Sequence, residues 1–161
     1  MDKRELYLSL GSNQGDRSAN ILQAVRMLDE GLKMPHSALS GLLAFPSWGF
    51  NGAEFLNCVV RYDLPAAGQD LRLHAYSILD LAKRIEAQMG RLPDPADELS
   101  GERIYHDRPI DIDILLYGDL NMDEPRLTVP HKLMMARGFV LVPLRQVATA
   151  HLRAQIPGIF A

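Results

Sequence analysis

Asp111 and Asp113 alternate with apolar residues inside Arg108-Pro-Ile-Asp-Ile-Asp-Ile-Leu-Leu-Tyr-Gly118. Side chains two apart on a strand share a face, and a rise of roughly 3.3 Å per residue puts their Cα atoms about 6.6 Å apart. Such carboxylates suit a pair of divalent ions, which in two-metal phosphoryl-transfer sites lie roughly 3.5–4 Å apart. Asp is disfavoured in strands, so two on one face point away from a purely structural role. The residues alone leave a metal site and an exposed acidic strand face both open. The opposite face, Ile110, Ile112, Ile114 and Leu116, is uniformly apolar and calls for a core.

Cations surround this segment: Arg91, Arg103 and Arg108 before it, and Arg126, His131, Lys132 and Arg137 after it. Carboxylates holding Mg²⁺ among guanidinium forks are what a polyphosphate requires, so the combination points to a nucleotide. The chain lacks the Gly-x-x-x-x-Gly-Lys-Ser/Thr loop, which disfavours a P-loop fold. Its five histidines are scattered, which gives little support for Zn²⁺.

Six elements must position these groups. Leu6, Leu8 and Leu10 alternate up to a turn at Gly11-Ser-Asn13, and Asp16 or Ser18 then caps a helix with Ile21, Val25, Leu28 and Leu32 on one stripe. Ser37 to Phe45 and Phe55 to Asp63 read as strands joined by the Pro46–Gly52 connector. After Pro65 a long helix carries Leu71, Ala75, Ile78, Ala82, Ile85 and Met89 up to Gly90. The polar stretch from Arg91 to Arg103, with two prolines and no periodicity, reads as a mobile loop leading into the Asp-x-Asp strand. Short helices should follow between Pro130 and about Ala148. This order predicts an α+β, ferredoxin-like βαββαβ antiparallel sheet with helices on one face, in one domain spanning 1–161. Leu56, Cys58, Val60 and Tyr62 should then face the helices, which turns Phe55, Asn57, Asp111 and Asp113 onto an uncovered face as a binding floor.

Composition bounds the rest. With 161 residues and a net charge of −3, the chain has no general basic surface for nucleic acid or anionic membranes. Cys58 is the single cysteine and sits in an apolar run, as a small buried hydrophobe would. The opening Met1-Asp-Lys-Arg-Glu leads into a short strand with no long apolar segment, so a cytoplasmic monomer is expected.

These residues, taken in order, resemble the 6-hydroxymethyl-7,8-dihydropterin pyrophosphokinase family. The motifs are Leu8-Ser-Leu-Gly-Ser-Asn13, Pro46-Ser-Trp-Gly49, Phe55-Leu-Asn57, Glu86 with Gly90-Arg91, Arg108 through Gly118, and Leu127-Thr-Val-Pro-His131 through Arg137-Gly-Phe139. The resemblance implies transfer of diphosphate from ATP to 6-hydroxymethyl-7,8-dihydropterin in folate biosynthesis. It implies two Mg²⁺ ions on Asp111 and Asp113, and Arg91 and Arg108 as catalytic groups on the phosphates. It further implies His131 and Arg137 on the triphosphate, Ile112, Ile114, Arg126 and Thr128 around adenosine, and Glu86 near the ribose. The pterin would stack between Phe55 and Phe139, beside Asn57 and Asp111, with Phe45, Pro46 and Trp48 along its edge.

Blander readings stand beside these. Lys83 fits a solvated helix edge, Arg126 alone a surface cation, and Trp48, Phe55 and Phe139 core aromatics. The Arg91–Arg108 segment is longer and more acidic than in familiar members; Arg103 is the candidate for its basic residue, while Tyr105 and Lys132 stand where Trp and Tyr are common. A non-catalytic nucleotide- or pterin-binding regulatory module and a different Asp-x-Asp transferase are the competing functions.

Overall fold

The computed structural model describes residues 3–46, 53–66, 68, 70–91 and 108–160. Trp48, Arg103, Tyr105 and, apart from Arg91, the segment expected to be mobile lie outside these residues. Leucines 6, 8 and 10 and the residues between them are all buried, because their strand β1 (Lys3–Ser12) runs through the middle of the sheet. It pairs antiparallel with β4 (Phe55–Pro65) on one side, from Lys3 opposite Pro65 to Ser12 opposite Leu56. On the other side it pairs antiparallel with β5 (Asp111–Tyr117). The outer edge of β4 is taken by two short strands, β2 (Ala38–Leu39) and β3 (Leu43–Phe45).

The strand expected over Ser37–Phe45 is thus split. Ser40 bonds Val59 in both directions, Ser40 N–H to Val59 O at 3.0 Å and Val59 N–H to Ser40 Oγ at 2.9 Å. The Gly41 N–H leaves the ladder for Gln146 Oε1 at 2.8 Å, so regular pairing stops there.

Helices α1 (Arg17–Leu32) and α2 (Leu71–Gln88) cover one face, as the topology predicts. Asp16 caps α1 by accepting from Ala19 N–H at 3.1 Å, and Asp70 caps α2 by accepting from Arg72 and Leu73 N–H at 2.9 and 3.1 Å. Each such cap stabilises its helix by about 1 kcal/mol. Gly90, at φ 91°, ends the second helix in the left-handed region that glycine tolerates. Beneath them Leu8, Cys58, Val60, Tyr62, Ile112 and Ile114 join one core. Cys58 is buried as expected, and burial pushes its thiol up to about 12.

The second face differs from the expectation of an open floor. Helix α3 (Gly138–Val147) lies across it, and Tyr7, Val59, Leu115 and Leu116 form a second core with Val140, Leu144 and Val147. Leu116 belongs here and not with Ile110, Ile112 and Ile114, because the β1–β5 register shifts between Tyr7 and Leu8: Tyr7 faces Leu116 while Leu8 faces Ile114. A bulge at Leu115 inverts the alternation past that point, and Tyr117 returns to the first core. Among the described residues, Gly11, Asn57 and Asp111 at one end of the sheet stand outside this second core. The remaining described elements are a hairpin of β6 (Met122–Asp123) and β7 (Thr128–Val129), a helix α4 (Ala150–Gln155), and 3-10 turns at Met134–Ala136 and Pro157–Phe160. No described helix is long and apolar enough to cross a membrane.

Candidate active site

The approach to the Asp-x-Asp strand is held by Asn13. Its Oδ1 accepts from Arg108 N–H at 2.8 Å, its own N–H donates to Arg108 O at 3.1 Å, and its Nδ2 donates to Ala53 O at 3.1 Å. One buried amide thereby joins the end of β1, the start of β4 and the entry to β5. Read as a sequence, Gly11-Ser-Asn13 announced only a turn; the join needs contacts across 95 residues.

Downstream of α2, Arg91 bridges two carboxylates with one nitrogen: Nη1 donates to Glu86 Oε2 at 2.7 Å and to Asp111 Oδ1 at 2.9 Å. Arg108, only 2% exposed, reaches the same Asp111 oxygen at 3.3 Å. Glu86 also accepts from the Ile112 N–H at 2.8 Å. Its carboxyl is pushed up to about 7, first by burial and next by the charge of Asp111, with Arg91 pulling the other way. Glu86 thus ties Arg91 and the backbone of β5 to the end of α2.

Asp111 stands opposite Gly11 and Asp113 opposite Ser9, so both project on the face the alternation predicts. Asn57 is the partner of Gly11 on the other side of β1. A Cβ on Gly11 would lie 2.6 Å from Asn57 Oδ1 and 3.3 Å from the Phe55 ring, so glycine alone keeps this strip open. Asn57 is buried, and among the described residues its Nδ2 finds no hydrogen-bond acceptor. An unmet donor here costs free energy until a ligand supplies an acceptor. Phe45 pairs with Phe55 across the strands, and the Phe45 and Phe139 rings lie 6.4 Å apart at 58°. Arg137 sits over the Phe139 ring at 5.4 Å. The structure therefore gathers Phe45, Phe55, Asn57 and Phe139, with Pro46 at the end of β3.

On the far side of Asp113 opens a cavity of about 460 Å³. Ile112, Ile114, Arg126, Thr128, His131 and Arg137, all named above for the nucleotide, line it together with Asp113. Lys83 and Lys132 add cations to its wall. His131 Nδ1 accepts from Leu133 N–H at 3.2 Å, so in the neutral ring the proton sits on Nε2, which is left as a donor. Glu86, Arg91 and Arg108 are not among the lining residues; they group on Asp111. Among the described residues no cluster of three or more His, Cys, Asp and Glu forms a closed metal cage. Two carboxylates with room for phosphate oxygens and water nevertheless fit Mg²⁺, which usually takes one or two protein carboxylates beside substrate phosphates.

Comparison with known proteins shows an enzyme, a diphosphotransferase. The chain belongs to the 7,8-dihydro-6-hydroxymethylpterin-pyrophosphokinase family, whose pattern it matches over residues 7–149. It is 39% identical over 145 residues to a 2-amino-4-hydroxy-6-hydroxymethyldihydropteridine pyrophosphokinase of Porphyromonas gingivalis, covering 89% of this chain and 90% of that one. To the protein of the same description from Methylorubrum extorquens it is 35% identical over 143 residues, covering 88% and 81%. A mitochondrial folate synthesis bifunctional protein of Pisum sativum is 36% identical over 141 residues, covering 87% of this chain and 24% of the larger protein. Membership carries pyrophosphokinase activity in folate biosynthesis, which sets aside the non-catalytic module and the unrelated Asp-x-Asp transferases.

Proposed function

We propose that the chain transfers the terminal diphosphoryl group of ATP to 6-hydroxymethyl-7,8-dihydropterin, with Mg²⁺, and releases AMP. One observation carries this reading: β5 presents Asp113 to the cation-lined cavity and Asp111 to the Gly11–Asn57 strip, so two carboxylates stand where the two compartments meet. Asp111 and Asp113 would hold two Mg²⁺ ions, whose charge would offset the negative charge that builds on the phosphates in the transition state. His131 and Arg137 would take triphosphate oxygens, and Ile112, Ile114, Arg126 and Thr128 would enclose adenosine. The pterin would lie on the floor between Phe55 and Phe139, giving the Asn57 Nδ2 an acceptor, with Phe45, Pro46 and Trp48 along its edge.

The substrate hydroxymethyl oxygen would attack the β-phosphorus in line; its O–P bond forms as the bond from the β-phosphorus to the oxygen shared with the α-phosphorus breaks, that oxygen leaves on AMP, and the hydroxyl proton is released to water. Arg91 and Arg108, already aimed at Asp111, would stabilise the phosphates in passage, while Glu86 keeps Arg91 in place. Catalysis by position and charge asks little covalent work of the protein.

Incubation of the protein with Mg²⁺, ATP and 6-hydroxymethyl-7,8-dihydropterin should release AMP in step with pterin diphosphate. Release of ADP, or no turnover, would defeat the proposal. Gly11→Ala tests the floor. Its methyl group displaces the Asn57 amide or Phe55 at an overpacking cost of about 1–3 kcal/mol. Pterin affinity should fall roughly fivefold to a hundredfold with ATP affinity within about twofold of wild type, as read by titration calorimetry. Equal losses for both ligands would show that the strip does not serve the pterin.

A further inference from the structure

Three residues on one stripe of α2, four apart each time, grip the hairpin that walls the nucleotide cavity. The Tyr76 hydroxyl donates to Glu124, Arg72 forms an ion pair with the same carboxylate, and Asp80 accepts from Arg126 Nη2 at 2.9 Å. The Arg126 guanidinium also lies over the Tyr76 ring, 5.3 Å from its centroid. Glu124 and Leu127 close the turn between β6 and β7 with reciprocal backbone hydrogen bonds of 3.1 Å. That turn, 124–127, lines the cavity opposite Ile112 and Asp113.

The same helix fixes the other wall. Near its C-terminal end Glu86 accepts the Ile112 N–H at 2.8 Å, which ties α2 to the strand that bears both carboxylates. Leu79 and Lys83, between the two attachments, line the cavity themselves. A helix is stiff over this length, so its two attachments set the distance between the carboxylate strand and the turn. A two-stranded hairpin with two residues per strand has little stability of its own and takes its position from what it leans on.

We propose that Tyr76, with Arg72 and Asp80, is a positioning element: it holds the 124–127 turn and Arg126 at the spacing the adenosine end of ATP requires, without touching the reacting phosphates. This rests on the reading of the cavity as the nucleotide site. Tyr76 orients Glu124 and packs under Arg126, so loss of its hydroxyl frees the turn while leaving the pterin floor and Asp111 untouched.

Tyr76→Phe removes one hydrogen bond to a charged acceptor and keeps the ring. The expected result is a roughly three- to tenfold weaker ATP affinity and a matching rise in the KM for ATP, with kcat and pterin affinity within about twofold of wild type. Amide hydrogen exchange at 122–129 should quicken in the same variant without ligand. In a double-mutant cycle, Tyr76→Phe and Glu124→Gln should be less than additive, because both break one network. Unchanged ATP affinity, or a fall in kcat with no change in KM, would overturn the proposal. So would unchanged exchange at 122–129, a reading that does not depend on the nucleotide. Wild-type protein that bound no ATP while Tyr76→Phe still quickened exchange would instead overturn the nucleotide assignment and with it this role, leaving Tyr76 a tether of the hairpin alone.

Discussion

Asp113→Ala is expected to lower AMP formation by roughly 10³-fold or more at saturating ATP and pterin, with the fold unchanged. Asp113 combines a place in the cavity wall with a place on the same strand face as Asp111. Its removal would leave the proposed metal site one protein carboxylate and takes away a charge that the adjacent Ile112 and Ile114 cannot replace. The strand does not need this carboxylate to form. Backbone pairing with β1 persists, and Ala is no worse than Asp in a strand, so the melting temperature should shift by no more than about 3 °C. Steady-state AMP release and thermal melting of the same preparation decide the matter. Near-normal AMP release would remove Asp113 from the metal set.

Arg91→Ala should cost both activity and stability, and the stability loss should depend on pH. Arg91 is the close cation between buried Glu86 and Asp111; Lys83 reaches Glu86 only at 3.7 Å from an exposed position. Without it kcat should fall by about 10²-fold or more if Arg91 takes the phosphate role proposed above. Removing one member of a buried ion pair typically costs about 3–5 kcal/mol. Here protonation gives Glu86 an escape. Its folded pKa, about 7, lies above its ordinary 4.5, so its contribution to stability is fully present below the ordinary value and is lost as pH rises through the folded one. In Arg91→Ala the folded value climbs further, because the largest remaining terms, burial and the Asp111 charge, both raise it. The loss then continues above pH 7, where the wild-type curve has flattened. Chemical unfolding from pH 5 to 8.5 should show a small defect at the acid end that widens through neutrality. A defect of constant size across that range would exclude the Glu86–Arg91 pair as its source.

Where sequence reading succeeded, the signal was local. Alternation assigned Cys58, Val60 and Tyr62 to the helix-covered face and Asp111 and Asp113 to the other, because successive strand side chains point to opposite faces whatever the strand pairs with. Apolar stripes located both long helices, and Asp16 marked the start of the first, for the same reason: Asp16, Ile21, Val25 and Leu28 lie within a few turns of one another. Where it fell short, the deciding contact was distant. Leu116 was placed with the isoleucines because nothing in Ile114-Leu-Leu-Tyr117 marks a bulge; the register shift against Tyr7 creates it. The floor read as uncovered because α3 is an amphipathic helix whose docking face on β4 no local pattern names.

The sequence by itself determined the βαββαβ order, the face on which each carboxylate emerges, and the family, since periodicity and motif spacing are properties of contiguous residues. Only the tertiary structure decided how much of that face stays open, that Asn13 fastens Arg108, that Glu86 accepts from both Arg91 and Ile112, and that α2 spans from the carboxylate strand to the hairpin over the cavity. Each of these joins segments far apart in the chain, and such contacts exist only once the register of β1 against β4 and β5 has brought those segments together.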